Sequence, residues 1–186
     1  MLSADERAVL LRLARQSIEL AVQKRPLPAL NLADYPAALR ENGASFVTLT
    51  EYGELRGCIG ALEAYQPLVQ DVCEHAVAAA LEDYRFSPVA PRELAHLKIE
   101  ISRLTAPQLF AYSDPTELLT GLRPNVDGVI LRDGLRRATF LPQVWEKLPE
   151  PREFLAHLCQ KMGAPSNAWQ HKVLQVYTYQ VEEFHE

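Results

Sequence analysis

The stretch that most constrains the fold is a predicted β-hairpin with Leu-Arg-Gly-Cys-Ile-Gly, residues 55–60, on its second strand. Residues 46–50 precede it and are rich in β-branched and aromatic side chains, which favour a strand. A turn at residues 52–54 joins the two strands. Side chains two apart on a strand share a face, so we expect Arg56 and Cys58 to point the same way.

On this pattern Leu55 and Ile59 face the core. The opposite face then carries a thiol beside a guanidinium, a cation that favours the thiolate. Gly57 and Gly60 flank the thiol and add no bulk, so a ligand or another backbone segment can approach closely. The hairpin therefore predicts a site at residues 56–60.

Two plainer interpretations of this stretch stay open. In the first, Cys58 is a small buried hydrophobic residue, Gly57 marks a β-bulge, and Arg56 is a salt-bridge partner. In the second, Arg56 forms a buried ion pair with Glu100 that pins two strands together. Neither interpretation needs a ligand.

Two further stretches are expected to approach the hairpin. Residues 98–104 alternate between apolar and polar side chains, which is typical of a half-buried strand with Glu100 on its polar face. Arg85 follows a helix predicted from Pro67 to Asp83, and it either pairs locally with Asp83 or points back towards the site. The predicted catalytic candidates are Cys58, Arg56 and Glu100, and the predicted ligand-binding residues are Gly57, Gly60 and Arg85.

The order hairpin, helix, strand occurs a second time. A hairpin at 129–141, a helix at 151–162 and a strand at 173–181 repeat the order of the first half. We therefore expect one α+β domain whose related halves, about 44–105 and 126–183, share one mainly antiparallel sheet.

The two predicted hairpins differ at the site. When their turn glycines are aligned, Thr139 takes the place of Cys58 and Arg137 that of Arg56. We expect the first half alone to carry the site.

Composition limits the function classes. A net charge of -5 argues against a nucleic-acid or anionic-membrane surface, which would need a basic footprint. Cys58, Cys73 and Cys159 form no Cys-x-x-Cys pair and fit no zinc template, and no apolar run could span a bilayer. We expect a cytoplasmic protein with free thiols, no metal site and no cofactor.

Several motifs, in this order, resemble the AMMECR domain family. They are Phe46-Val47-Thr48-Leu49, Leu55-Arg56-Gly57-Cys58-Ile59-Gly60, Asp83-x-Arg85-Phe86-x-Pro88-Val89, Gly128-Val129, Leu141-Pro142-Gln143-Val144 and Lys161-x-Gly163. The chain is most similar to the branch called AmmeMemoRadiSam system protein A. In that system the domain is encoded beside a Memo-type protein and a radical SAM protein.

The resemblance implies a fold, a site and partners. It implies an α+β fold of two related halves around a shared antiparallel, barrel-like sheet. It places the hexapeptide, residues 55–60, in or beside a cleft. It also implies that the Memo-type and radical SAM proteins are partners. It implies no reaction. The chain lacks the Cys-x-x-x-Cys-x-x-Cys cluster of radical SAM enzymes, so such chemistry belongs to the partner.

Two functions follow from these residues, and whether the chain is an enzyme stays open. In the first, Cys58 is a nucleophile, Arg56 lowers its pKa, and Glu100 or His75 moves a proton. In the second, an adaptor without bond-making chemistry holds a small anionic ligand or a peptide with Arg56 and Arg85. Two arginines and one carboxylate predict a net positive cleft.

Overall fold

The structure is a computed structural model that describes residues 1–27 and 29–186. Within these residues the helices are α1 (Ala4–Val22), α2 (Ala37–Arg40), α3 (Leu68–Leu81), α4 (Pro115–Gly121), α5 (Pro151–Lys161) and α6 (Ala168–His171). The strands are β1 (Asn42–Glu51), β2 (Glu54–Gly60), β3 (Gln66–Pro67), β4 (Leu97–Leu104), β5 (Gln108–Leu109), β6 (Gly128–Asp133), β7 (Arg136–Phe140), β8 (Gln175–Tyr179) and β9 (Val181–His185). Short 3-10 helices lie at Leu32–Asp34, Pro91–Glu93 and Pro142–Glu146.

The chain separates into two compact units. The first unit is Met1–Leu104 with Glu182–Glu186, and the second is Thr105–Val181. The predicted single domain over 1–186, with halves at 44–105 and 126–183, stays a prediction. No helix of the described residues is both long and apolar enough to cross a membrane.

The first unit packs α1 and α3 on one face of a sheet with the order β2-β1-β4-β9, and β3 pairs with the start of β1. A capping box begins α1, because the Ser3 hydroxyl accepts the Glu6 N–H while the Glu6 carboxylate accepts the Ser3 N–H. The fully buried Val47, Leu49 and Ile99 belong to the core that includes α1 and α3. The side chains that alternate with them on β1 and β4 therefore face away from these helices.

The second unit contains a four-stranded sheet with the order β5-β8-β6-β7. Val129, Leu131 and Val176 join the apolar side of α5 in a separate core. Trp145 stacks on Phe154 of α5 with ring centroids 3.6 Å apart. Both side chains of this aromatic pair are fully buried in the core.

The α+β class and the antiparallel pairing are confirmed, but the expected single barrel-like sheet is wrong. The strands form two sheets, and the strand predicted at 173–181 corresponds to β8 of the second sheet. Its last residue, Val181, begins β9, which belongs to the first sheet. Gln180 lies between β8 and β9, and its backbone groups do not continue a strand ladder. Its carbonyl accepts the Thr105 N–H, and its N–H donates to the Thr105 hydroxyl. Because β8 and β9 lie on either side of this break, they pair with different strands. Neither of the two sheets closes into a barrel.

The two sheets nevertheless repeat one arrangement. Each has a hairpin, a helix and a third strand on the far side of the first strand, in the orders β2-β1-β4 and β7-β6-β8. Gly57 lies opposite the buried Leu49 in the first hairpin, and Ala138 lies opposite the buried Leu131 in the second. The residues that follow, Cys58 and Thr139, therefore occupy matching positions, as predicted.

The predicted match of Arg137 with Arg56 is wrong. In the second hairpin Arg137 lies opposite Arg132, the residue after the buried Leu131. In the first hairpin the residue after the buried Leu49 is Thr50, and Leu55 lies opposite it, so Arg137 matches Leu55. Both turns contain two residues, but the glycine is the second of them in the first hairpin (Gly53) and the first of them in the second hairpin (Gly134). The extra residue Arg56 cancels this offset, so the aligned positions match only beyond Arg56.

Candidate functional site

The second strand of the first hairpin contains a β-bulge at Arg56. Leu49 lies opposite Gly57 and the next pair joins Thr50 to Leu55, so Arg56 has no residue opposite it. Directly opposite residues of an antiparallel pair share a face, and the bulge therefore puts Leu55 on the face of Thr50. Leu55 is 43% exposed, so the prediction that it faces the core is wrong.

The bulge also breaks the alternation that related Arg56 to Cys58. The Arg56 guanidinium binds Glu93, with Nε donating to Oε1 at 2.7 Å and Nη2 donating to Oε2 at 3.3 Å. The hydrogen bond from Arg56 is the first cause of a lowered Glu93 pKa, and the Ala90 N–H adds to it. The interpretation of Arg56 as a salt-bridge partner is confirmed, and the ion pair with Glu100 is wrong. The bulge expected at Gly57 lies at Arg56, because Gly57 is paired with Leu49.

Both glycines of the motif are explained by packing inside the first unit. A Cβ atom on Gly57 would lie 2.1 Å from the carbonyl oxygen of Ala79 in α3. A Cβ atom on Gly60 would lie 2.4 Å from the carbonyl oxygen of Ser45 and 2.5 Å from the Phe46 side chain. The expected close approach is therefore made by the protein's own helix and neighbouring strand.

Asp83 and Arg85 hold the backbone of Cys58 from the open edge of the sheet. The Cys58 N–H donates to Asp83 Oδ2 at 2.9 Å, and Arg85 Nη2 donates to the Cys58 carbonyl at 3.2 Å. Arg85 also donates to Asp83 through Nε at 2.9 Å and Nη2 at 2.6 Å. Both sequence-based alternatives for Arg85 are correct, because it pairs locally and reaches the site.

The Asp83 carboxylate is the central acceptor of this clamp. Its side chain is only 1% exposed, whereas that of Arg85 is 43% exposed. The hydrogen bond from Arg85 is the first cause that lowers the Asp83 pKa far below its ordinary range, and the Cys58 N–H contributes in the same direction. Asp83 is therefore ionised and held in place. It accepts the Cys58 N–H at the edge of the sheet, as the carbonyl of a further strand would.

The thiol itself lies in a row of polar side chains across three strands. Thr48 of β1 lies opposite Cys58 of β2 on one side and opposite Glu100 of β4 on the other. The Thr48 hydroxyl donates to Cys58 Sγ at 3.3 Å. Since neighbouring strands lie about 4.8 Å apart, the Glu100 and Cys58 backbones are about 10 Å apart. We call Thr48, Cys58 and Glu100 the thiol row.

Charges around the thiol row differ from the expectation. Arg85 is neutralised by Asp83 and Arg56 by Glu93, while the described residues offer Glu100 no ion pair. The prediction of a net positive cleft is therefore wrong, because both arginines are bound to carboxylates outside the row.

His75 lies on the other side of the sheet from the thiol row. It is in α3, where its Nδ1 and the Ser45 hydroxyl both contact Asp71 Oδ2, at 3.2 and 2.6 Å. Because Cys58 is opposite Thr48, on the face turned away from α3, the geometry does not bring His75 to the thiol.

Sequence reasoning missed three positions, namely Thr48, Asp83 as an acceptor for Cys58, and Glu93. Thr48 had a usable signal, since it lies in a β strand between two core residues. Asp83 and Glu93 act across 25 and 37 residues of chain, and no local pattern reports such pairings.

We predict that Cys58 reacts with a small alkylating agent faster than Cys73 or Cys159. Cys58 is half-buried, while the other two are 8% and 0% exposed, and burial raises the pKa of both buried thiols. Mass spectrometry of partially labelled native protein measures the order, and labelling in denaturant supplies the unprotected control. Equal or slower native labelling at Cys58 would contradict the prediction.

The chain is similar to known proteins over nearly its whole length. The model of the AMMECR1 family matches residues 11–184. A protein of Methanothermobacter thermautotrophicus is 38% identical over 187 residues, covering 100% of this chain and 96% of that protein. Protein MJ0810 of Methanocaldococcus jannaschii is 35% identical over 195 residues, covering 100% and 92%.

A solved structure agrees with these matches. The crystal structure of protein PH0010 from Pyrococcus horikoshii has a TM-score of 0.77 and 33% sequence identity, and the match covers 100% of this chain and 93% of that one. Family, sequence and structure thus agree over nearly the whole length, and this chain belongs to the AMMECR1 family.

Proposed function

We propose that this chain is a cytosolic component of a modification pathway and that the thiol row is its reactive site. The observation that carries the proposal is that three side chains position one cysteine. Asp83 and Arg85 bind both backbone groups of Cys58, and the Thr48 hydroxyl donates to its sulfur. The two backbone contacts fix the position of residue 58, and the hydroxyl aimed at the sulfur is the contact that a cysteine serving only as core filling would not need.

The chemistry that best fits the thiol row is covalent reaction of Cys58. The thiolate is the reactive form of cysteine, and a hydroxyl that donates to sulfur stabilises it. Glu100 is the carboxylate next to Thr48 in the same row and is our candidate for receiving the proton. Arg56 has no direct part in this scheme, because Glu93 engages its guanidinium.

We propose Memo-type and radical SAM proteins as the partners, as the family resemblance implies. The three cysteines of the chain are isolated from one another in sequence, so cluster-dependent chemistry would take place on the radical SAM partner. In this scheme the chain presents Cys58 to a substrate or to an intermediate of the pathway.

A second candidate is an adaptor that binds an anionic ligand or a peptide without bond formation. The observation that favours it is the 43% exposure of the Arg85 side chain, which remains open to solvent although Asp83 anchors it. An arginine fixed in this way can offer its free N–H groups to a carboxylate or phosphate group.

Replacement of Cys58 separates the two candidates. After incubation with both partner proteins, we expect mass spectrometry to detect modified Cys58 in the wild type. Cys58→Ser and Cys58→Ala should abolish turnover in the reconstituted mixture and leave partner binding intact. An adaptor would work equally well with either variant, and that result would overturn the thiol proposal.

Thr48→Val tests the positioning of the thiol. It keeps the shape of the side chain and removes the donor to Cys58, so we expect alkylation of Cys58 to slow about fivefold, as one hydrogen bond would give. Thr50→Val is the matched control, because Thr50 occupies the same face of β1 two residues away. Equal rates in the two variants would argue against a role for Thr48.

A further inference from the structure

A small pocket in the second unit is separate from the thiol row. Its volume is about 140 Å³, and it lies between Tyr112 and Pro115 on one side and residues 169–173 on the other. Since a water molecule takes about 30 Å³ in the liquid, the pocket has room for about five non-hydrogen atoms. Because the pocket is partly open, one end of a slightly longer ligand can extend into solvent. It therefore suits a very small organic ligand.

One residue of the pocket lining carries a buried donor that lacks an acceptor. Trp169 lines the pocket and is 1% exposed, and its Nε1 has no hydrogen-bond partner among the described residues. An indole nitrogen can only donate, so an oxygen atom has to come from elsewhere. The other tryptophan, Trp145, illustrates the usual arrangement, because its Nε1 donates to the Asp127 carbonyl at 2.7 Å.

The remaining polar groups favour an anion as the source of that oxygen. His171 and Lys172 lie in the lining, and the Lys172 side chain is 58% exposed beside its partner Asp133. The Tyr112 hydroxyl is already occupied, since it donates to the Leu174 carbonyl and accepts the Leu174 N–H. The pocket lining thus combines an indole donor without a partner, a histidine, and a lysine whose ammonium group an anionic ligand would share with Asp133.

The rest of the lining is apolar. Pro115 and Val173 contribute no polar side-chain atoms, and Trp169 contributes an apolar ring besides its N–H. We propose that this pocket binds a short-chain carboxylate, whose oxygens accept from Trp169 and approach Lys172 while its hydrocarbon part contacts the apolar wall. The site is independent of Cys58 and goes beyond the proposed function.

Butyrate is the probe for the proposal. In a ¹H–¹⁵N spectrum the two tryptophans give two indole signals, and Trp145 serves as the internal reference. Millimolar butyrate should shift the Trp169 signal saturably and leave the Trp145 signal in place. Butylammonium has a similar size and the opposite charge, and at matched ionic strength it should produce no saturable shift.

Two charge variants with opposite expectations sharpen the test. Lys172→Gln should weaken butyrate binding about five- to tenfold, whereas Asp133→Asn releases Lys172 from its ion pair and should tighten binding. Lys147→Gln makes the same charge change at an exposed residue outside the lining and should leave affinity unchanged. An unmoved Trp145 signal verifies the fold of each variant.

The proposal is overturned if butyrate gives no saturable shift of the Trp169 signal or if butylammonium gives the same shift. Unchanged affinity in Lys172→Gln, or an equal loss in Lys147→Gln, would overturn it as well.

Discussion

Asp83→Ala is expected to lower the free energy of unfolding by about 3 kcal/mol. The substitution removes the acceptor of the Cys58 N–H and leaves the Arg85 guanidinium without its carboxylate. The lost bonds are charge-assisted and Asp83 is 1% exposed, but the exposure of Arg85 keeps the effect below that of a fully buried pair. Chemical denaturation measures the change, and Cys58 should also be alkylated faster when its backbone is released.

Glu82→Gln is the matched control for this variant. It removes the same charge from the adjacent residue, which is exposed, and should change stability by less than about 0.5 kcal/mol. Similar losses for the two variants would mean that net charge, and not the clamp, is responsible.

The clamp also predicts a pH dependence. Because the Asp83 pKa is lowered in the folded protein, its carboxylate stabilises the fold above the ordinary pKa of an aspartate. This contribution is lost as the pH falls below that ordinary value towards the lowered one. Stability of the wild type should therefore decrease more steeply in acid than that of Asp83→Ala.

Glu182→Ala is expected to cost about 3–5 kcal/mol. The Glu182 side chain is 5% exposed and forms ion pairs with Arg7 at 2.9 Å and Arg103 at 3.4 Å. Both of its oxygens also accept the Leu2 N–H. Removal of the carboxylate leaves the Arg103 guanidinium without a counter-charge, although its side chain is only 20% exposed. The Arg103 Nε already lacks a hydrogen-bond partner among the described residues.

Thermal and chemical denaturation of the Glu182 variant measure this loss, with Glu19→Gln, an exposed position of α1, as the control. The effect arises because β9 returns to the first unit and ties the start of the chain to β4. A loss below about 1 kcal/mol would contradict the assignment of Glu182 as a buried hub for both arginines.

The sequence by itself determined the parts of this protein that depend on near neighbours. The Ser3 and Glu6 capping box begins α1, and the alternation around Ile99 defines β4. Both hairpins and the match of Cys58 with Thr139 also follow from local pattern. Such features are encoded within a few residues, by propensity, turn chemistry and the period of apolar side chains.

Only the tertiary structure decided what each side chain of the motif does. One extra residue at Arg56 shifts Leu55 to the other face, and Arg56 finds Glu93 37 residues away in place of Glu100. The break at Gln180 likewise assigns β8 and β9 to different sheets. These outcomes depend on register and on contacts distant in sequence, where several partners satisfy the same local pattern and packing selects one of them.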